Sequence, residues 1–146
     1  MQIEVAMRSA LSLAKRGLGR CSPNPSVGCL ILDRSNNLIG MGRTSDKGRP
    51  HAEMNALKSL TASAKGGTAI VTLEPCAHSD TSPSCAELLV NAGIKHVIIA
   101  TLDPDIRTNG KGVKLFKKAG IKVSVGLLKE IALDINAGFI YRLKYN

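Results

Sequence analysis

Residues 85–125, CAELLVNAGIKHVIIATLDPDIRTNGKGVKLFKKAGIKVSV, decide the fold. A run of helical character from Cys85 to Ala92 passes through Ala-Gly-Ile-Lys into an apolar strand-like run, Val97 to Ala100. After a polar loop the order repeats: helix from Val113 to Ala119, Ala-Gly-Ile-Lys again at 119–122, then strand from Val123 to Val125. Two strands can run parallel only through a crossover, and the helix at 113–119 supplies one between the fourth and fifth strands. Gly93 and Gly120 stand where a left-handed residue closes a helix. Two copies of this handover are one local solution used twice, not a repeat architecture.

Working outward, Ala69 to Leu73 reads as the strand before this stretch, and His51 to roughly Ala64 as a helix ending at Gly66-Gly67. Val27 to Leu32 and Leu38 to Met41 are two strands joined by Asn36-Asn37, a predicted hairpin. Ile3, Met7, Ala10, Leu11, Ala14 and Leu18 recur at helical spacing, giving an amphipathic helix that stops near Gly17 and Gly19. Ser22-Pro23-Asn24-Pro25 follows as a stiff loop, and at the far end Leu127 to about Tyr141 is predicted to be a single helix. The expected architecture is an α/β chain with five strands, strands four and five parallel.

With 146 residues, 44% of them hydrophobic and 21% charged, the chain has the size and composition of one globular domain spanning residues 1–146, neither fibrous nor disordered. Its longest apolar runs fall far short of the roughly 18 residues a membrane span needs. Met1-Gln2-Ile3-Glu4 lacks the basic start and apolar stretch of a signal peptide, so a cytoplasmic location is expected. Thiols stay reduced there, and Cys21, Cys29, Cys76 and Cys85 read as metal ligands or small buried hydrophobes rather than as disulfides. A net charge of +9 suits a phosphorylated metabolite, a nucleic acid or a plain solvated basic surface. Two Tyr, two Phe and no Trp leave few platforms on which bases could stack, which weighs against nucleic acid.

Three segments hold polar residues that apolar packing does not explain: His51-Ala52-Glu53, Glu74-Pro75-Cys76-Ala77-His78, and Cys85. One His and two Cys make a zinc set, because catalytic zinc takes three protein ligands and keeps the fourth position for water. Against this stands a reading with Cys76 and Cys85 as core residues and His51 as a helix cap. His51 and Cys85 each open a predicted helix, where the positive helix end favours thiolate and other anionic ligands. Positions two apart on a helix point about 200° apart, so His51 and Glu53 reach one site only if His51 sits at the cap. Beside such a metal Glu53 can carry a proton; otherwise it is an ordinary acid in a first helical turn.

His-x-Glu followed by Pro-Cys and a later Cys is similar to the signature of zinc-dependent base deaminases, with residues 77–84 inserted where that signature has two residues. The long-loop motif, together with Pro23-Asn24-Pro25-Ser26-Val27-Gly28, Thr72-Leu73-Glu74-Pro75-Cys76-Ala77-His78, Asp103-Pro104 and Gly110-Lys111-Gly112, resembles the deaminase domain of bacterial riboflavin biosynthesis proteins over nearly the whole chain. The resemblance implies a three-layer α/β/α cytidine deaminase-like fold. It also implies a zinc-dependent hydrolase that deaminates 2,5-diamino-6-ribosylamino-4(3H)-pyrimidinone 5′-phosphate to 5-amino-6-ribosylaminouracil 5′-phosphate. By the same resemblance His51, Cys76 and Cys85 hold Zn2+, Glu53 is the proton shuttle, and Asn24, Ala52, His78 and Asp103 contact the substrate. The insertion at 77–84 is expected at the mouth of the site.

The family's usual His after the second strand is Thr44 here, its Gly-Arg/Lys-Thr-Pro-Pro run is Asp80-Thr81-Ser82-Pro83-Ser84, and Asp105-Ile106-Arg107-Thr108 replaces another segment near the sugar phosphate. Arg43, Lys47, Arg49 or Arg107 could supply positive charge there. Many members continue into a reductase domain, and Asn136-Ala137-Gly138-Phe139 with Arg142 resembles the joining segment. No dinucleotide fingerprint is present in these residues, so no reductase activity is assigned to them. The reductase is expected either as a separate partner or as a continuation of the chain, and a homo-oligomeric state is expected as well. The competing functions are deamination of another nucleobase, nucleotide or tRNA adenosine, and a non-catalytic zinc-stabilised binding module. Cys29 reads as core, His96 as a satisfied strand-end residue, and the basic residues from Arg107 to Lys122 as a solvated face or a phosphate track.

Overall fold

The computed structural model describes residues 1–78 and 83–145. The elements run α1 (Ile3–Arg16), β1 (Gly28–Leu32), β2 (Leu38–Arg43), a short 3-10 turn (Asp46–Gly48), α2 (Ala52–Lys58), β3 (Thr68–Val71), α3 (Cys85–Asn91), β4 (His96–Ile99), α4 (Lys111–Lys118), β5 (Lys122–Val125), α5 (Lys129–Ile135) and α6 (Ala137–Tyr145). One sheet has the order β2-β1-β3-β4-β5. The β1–β2 hairpin is antiparallel, β1 also pairs antiparallel with β3, and β3, β4 and β5 are mutually parallel. The crossovers are α3 and α4, as the repeated handover requires, and Gly93 and Gly120 both have positive φ, at 83° and 78°.

Side chains alternate along a strand, so the two faces of the sheet collect different residues. Leu30, Leu32, Ile70 and Ile98 pack with Met7, Ala10, Leu11 and Ala14 of α1 and with Ala132 and Ile135 of α5. On the other face Cys29, Ile31, Val71, Val97 and Ile99 meet Ala52 and Ala56 of α2, Ala86 and Leu89 of α3, and Phe116 of α4. The result is the three-layer α/β/α sandwich. Every residue of β1 is buried, which is why that strand reads as a continuous apolar run rather than an alternating one.

Two helices differ from the sequence expectation. The helix from His51 was expected to reach about Ala64 but ends at Lys58, where Ser59 leaves the helical path to cap the open edge of β2. Its Oγ accepts the Met41 N–H at 3.0 Å, and the Thr61 N–H then donates to the Ile39 carbonyl at 2.9 Å. An edge strand with unpaired N–H groups is a stronger demand than continued helix. The single helix expected from Leu127 to about Tyr141 is two, α5 and α6, divided at buried Asn136. The Asn136 side chain accepts the Ser26 N–H and donates to the Ser26 carbonyl, both at 2.8 Å, satisfying a loop segment that would otherwise be buried unpaired. Other differences are of one to three residues at element ends: β2 runs on to Arg43, β3 is Thr68–Val71, and α4 begins at Lys111.

Asn136→Ala leaves both Ser26 groups without partners in a buried setting. The expected loss is about 1–3 kcal/mol of stability, read as a lowered midpoint in urea unfolding; an unchanged midpoint would mean that water or another group replaces the amide.

Candidate metal centre and substrate cleft

Three chain segments converge on one end of the sheet. His51 is the N-cap of α2, with extended φ/ψ of −71° and 164°, which meets the geometric demand set by the His51-x-Glu53 spacing. Cys76 lies five residues beyond β3, and Cys85 is the first residue of α3. Ser84 caps that helix through a capping box with Glu87. Cys76 is joined directly to the start of α3: the Cys85 N–H donates to Cys76 Sγ at 3.3 Å and the Ala86 N–H donates to the Cys76 carbonyl at 3.0 Å.

The His51 Nδ1 lies 3.9 Å from Cys76 Sγ and 3.5 Å from Cys85 Sγ. Ligands at ordinary Zn–N and Zn–S bond lengths in a tetrahedron sit about 3.6 Å apart along an N–S edge. Among the described residues, these three form the group of His, Cys, Asp and Glu donors close enough to hold an ion, all ligand atoms lying within 4.8 Å of one another. The donor set of two sulfurs and one imidazole nitrogen fits zinc and leaves a fourth position open. The hydrogen bond from the Cys85 thiol, with help from His51, lowers the Cys76 thiol to about 4, while the same pairing and burial push Cys85 up. The His51 imidazole is raised, first through its hydrogen bond to Cys76.

Glu53 sits one helical position beyond Ala52 with 3% of its surface exposed. Burial pushes its carboxyl up to about 7, with the Cys76 charge adding to the rise and a hydrogen bond with the Cys85 thiol opposing it. A buried carboxyl touching the ligand cluster and poised near neutrality is suited to take up and release a proton.

A cleft of about 510 Å³ adjoins the Cys76 segment, lined by Ala77, His78, Asp103, Arg107, Lys111 and Phe139 among others. It brings together His78 and Asp103 of the four substrate contacts expected from the sequence. Ala52 is fully buried at the first position of α2. Asn24 lines a different, smaller cavity of about 210 Å³, and its amide donates to the Gly48 carbonyl at 2.9 Å, tying its loop to the one that precedes His51. Residues 79–82 of the insertion, including Asp80 and Thr81, lie outside the described residues.

Of the cations considered for the sugar-phosphate end, Arg107 borders the cleft, paired with Asp105 at 2.6 Å. Arg43 is committed elsewhere, donating to the Thr44 carbonyl at 3.0 Å and pairing with Asp46 at 3.3 Å. Lys111 and Phe139 also face the cleft; the sequence had offered Lys111 in the Gly110-Lys111-Gly112 motif and in a basic run, but with no role assigned to it, and Lys114, Lys117, Lys118 and Lys122 of that run are exposed. Thr44 is a structural pin, 2% exposed, its Oγ1 accepting the Val27 N–H at 2.9 Å. Cys29 is core, and Cys21 is buried with its thiol donating to the Gly17 carbonyl at 3.2 Å. His96 Nε2 lies 2.9 Å from Ser124 Oγ across the β4–β5 pair, a satisfied strand-end residue.

A mixed-sheet α/β/α sandwich with a His-Cys-Cys cluster and a buried Glu beside it defines a zinc-dependent deaminase type of site. The chain belongs to the cytidine and deoxycytidylate deaminase zinc-binding family, whose pattern matches residues 1–101. It is 42% identical, over 94% of its own length and 93% of the other, to a diaminohydroxyphosphoribosylamino-pyrimidine deaminase of Buchnera aphidicola subsp. Schizaphis graminum. It is also 46% identical to the riboflavin biosynthesis protein RibD of Buchnera aphidicola subsp. Baizongia pistaciae, over 94% of this chain but only 37% of that protein. The solved structure of Acinetobacter baumannii RibD superposes with a TM-score of 0.90 at 44% identity, covering 98% of this chain and 40% of the other. The chain thus spans well under half the length of the RibD relatives. No helix among the described residues is long and apolar enough to cross a membrane.

Proposed function

We propose that this chain removes an amino group hydrolytically from 2,5-diamino-6-ribosylamino-4(3H)-pyrimidinone 5′-phosphate, releasing ammonia and 5-amino-6-ribosylaminouracil 5′-phosphate. The observation that carries the reading is buried Glu53 beside the His51, Cys76 and Cys85 cluster, in a chain that matches nearly the full length of a relative named for this deamination. Zinc held by His51 Nδ1 and the two sulfurs would supply a water acidified to a pKa of about 7, and hence a nucleophile at neutral pH. Glu53 accepts one proton from the attacking water as the C–O bond forms and the ring carbon becomes tetrahedral, then returns it to the amino nitrogen, so that the C–N bond breaks and the leaving group departs as NH₃. His78 and Asp103 line the cleft that would receive the pyrimidine, with Asn24 and the first turn of α2 at Ala52 assigned to its edge. Arg107 and Lys111 face the same cleft and suit an anionic end on the substrate. A reductase that acts on the product, in a separate polypeptide or a neighbouring domain, is the partner activity this reaction calls for, in the cytoplasm with its substrate.

The test supplies the zinc-loaded protein with the phosphorylated pyrimidine and with its dephosphorylated form, and follows ammonia. Charge-assisted contacts from Arg107 and Lys111 should favour the phosphorylated compound by about ten- to a hundredfold in kcat/KM. Equal rates on both would remove the phosphate from the recognition scheme, and no ammonia from either would overturn the assignment.

A further inference from the structure

Glu74 is a buried carboxylate that the reaction above does not use, 5% exposed and absent from the ion pairs among the described residues. Its two oxygens are instead filled by main-chain N–H groups. Oε1 accepts from Asp103 at 3.0 Å and from Gly110 at 2.9 Å, and Oε2 accepts from Val113 at 3.1 Å. Gly110 is the N-cap of α4 and Val113 lies in its first turn, where N–H groups have no partner within the helix. One carboxylate therefore joins the Cys76 segment, two residues away, to the loop and helix start that form the opposite wall of the cleft.

That wall is braced within itself. Asp103 accepts the Asp105 N–H at 2.9 Å and the Thr108 hydroxyl at 2.8 Å, and the Asn109 amide donates to the Asp103 carbonyl at 2.8 Å. Asp105 in turn holds Arg107. The loop is thus tied within itself, and the Glu74 side chain ties it to the segment just beyond β3. A second observation agrees. A Cβ at Gly112 would collide with the Pro75 carbonyl and come within 3.2 Å of Glu74 Oε2, so α4 is seated directly on the Glu74-Pro75 main chain.

We propose that Glu74 is a positioning residue for substrate binding, clamping the Asp103–Lys111 wall of the cleft to the segment that carries Cys76. The proposal rests on the deaminase reading for its kinetic consequence, but the clamp itself can be tested without catalysis. Glu74→Gln keeps one oxygen for two of the N–H groups and turns an NH₂ toward the third. In the full, zinc-loaded chain the expected result is an unchanged zinc content and a KM for the phosphorylated pyrimidine raised about tenfold or more, with kcat within about threefold. Amide exchange at Asp103, Gly110 and Val113 should accelerate about tenfold or more over wild type. Gly112→Ala, which leaves the carboxylate in place but lifts the helix from it, should raise KM in the same direction, and it decides the matter if Glu74→Gln does not fold.

A wild-type KM in either folded variant overturns the proposal, as does a fall in kcat at constant KM or a loss of zinc in Glu74→Gln. If the wild-type chain releases no ammonia, the functional reading fails on its own account. The exchange rates of the three amides then decide the clamp: faster exchange in Glu74→Gln supports it and wild-type exchange overturns it.

Discussion

Glu53→Gln is expected to bind zinc at wild-type stoichiometry and to lose turnover by about 10²- to 10⁴-fold, the range over which a positioned proton carrier typically acts. The substitution keeps the shape of the side chain. Because burial already pushes the Glu53 carboxyl up to about 7, toward its neutral form, an uncharged amide of equal size suits the same pocket. The ligand atoms belong to other residues, so metal content should stay constant. What the amide lacks is an oxygen able to take a proton from water and carry it to nitrogen. Metal analysis of the purified variant and its rate of ammonia release check the two halves of the expectation. Near-wild-type turnover would remove Glu53 from proton transfer, and loss of zinc would make it part of the metal environment instead.

Cys85→Ala should separate the two roles from the other side. Removing one of three donors leaves two, and since disturbing even an outer-shell partner typically lowers metal affinity by about 10- to 100-fold, losing a direct donor should lower it by more than about 100-fold. The thiol also helps to order its neighbours: it lies 3.5 Å from His51 Nδ1, and its hydrogen bond lowers the Cys76 thiol to about 4. Activity should disappear with the zinc and return partly at high added Zn2+. Competition against a chelator of known affinity measures the change. Cys21→Ser, on a buried thiol whose hydrogen bond to Gly17 a hydroxyl can replace, is the control and should retain zinc fully. Unchanged affinity in Cys85→Ala would take Cys85 out of the ligand set.

These two variants probe residues that the sequence itself exposed. His51, Cys76 and Cys85 stood out because their side chains fit neither face of an apolar pattern, and the spacing of His51 and Glu53 carried a demand on the helix start that the N-cap position of His51 meets. Glu74 stood in a quoted motif without a task, although an acid in an apolar context followed by Pro is a signal that could have marked it. Lys111 stood in a quoted motif and in a basic run without a task, and the turn from Asp103 to Gly110 places it, still exposed, at the edge of the cleft, which Lys114, Lys117 and Lys118 do not line. For Asn24 the family resemblance implied a substrate contact, and the structure adds that its amide donates to the Gly48 carbonyl, tying its loop to the one before His51.

By itself the sequence determined the number of the strands and their succession along the chain, the parallel pair at the end of the chain and the chemical type of the metal ligands. Those properties are local: periodicity, a capping glycine and a His or Cys out of pattern can each be read within a few residues. Only the tertiary structure decided where the helices at Lys58 and Ile135 stop, which main-chain groups Ser59, Glu74 and Asn136 satisfy, and how the cleft wall is held. The reason is physical. A buried N–H must find an acceptor wherever the folded chain happens to offer one, and a bond between Ser26 and Asn136, or between Glu74 and Val113, joins residues too far apart along the chain to leave any periodic trace.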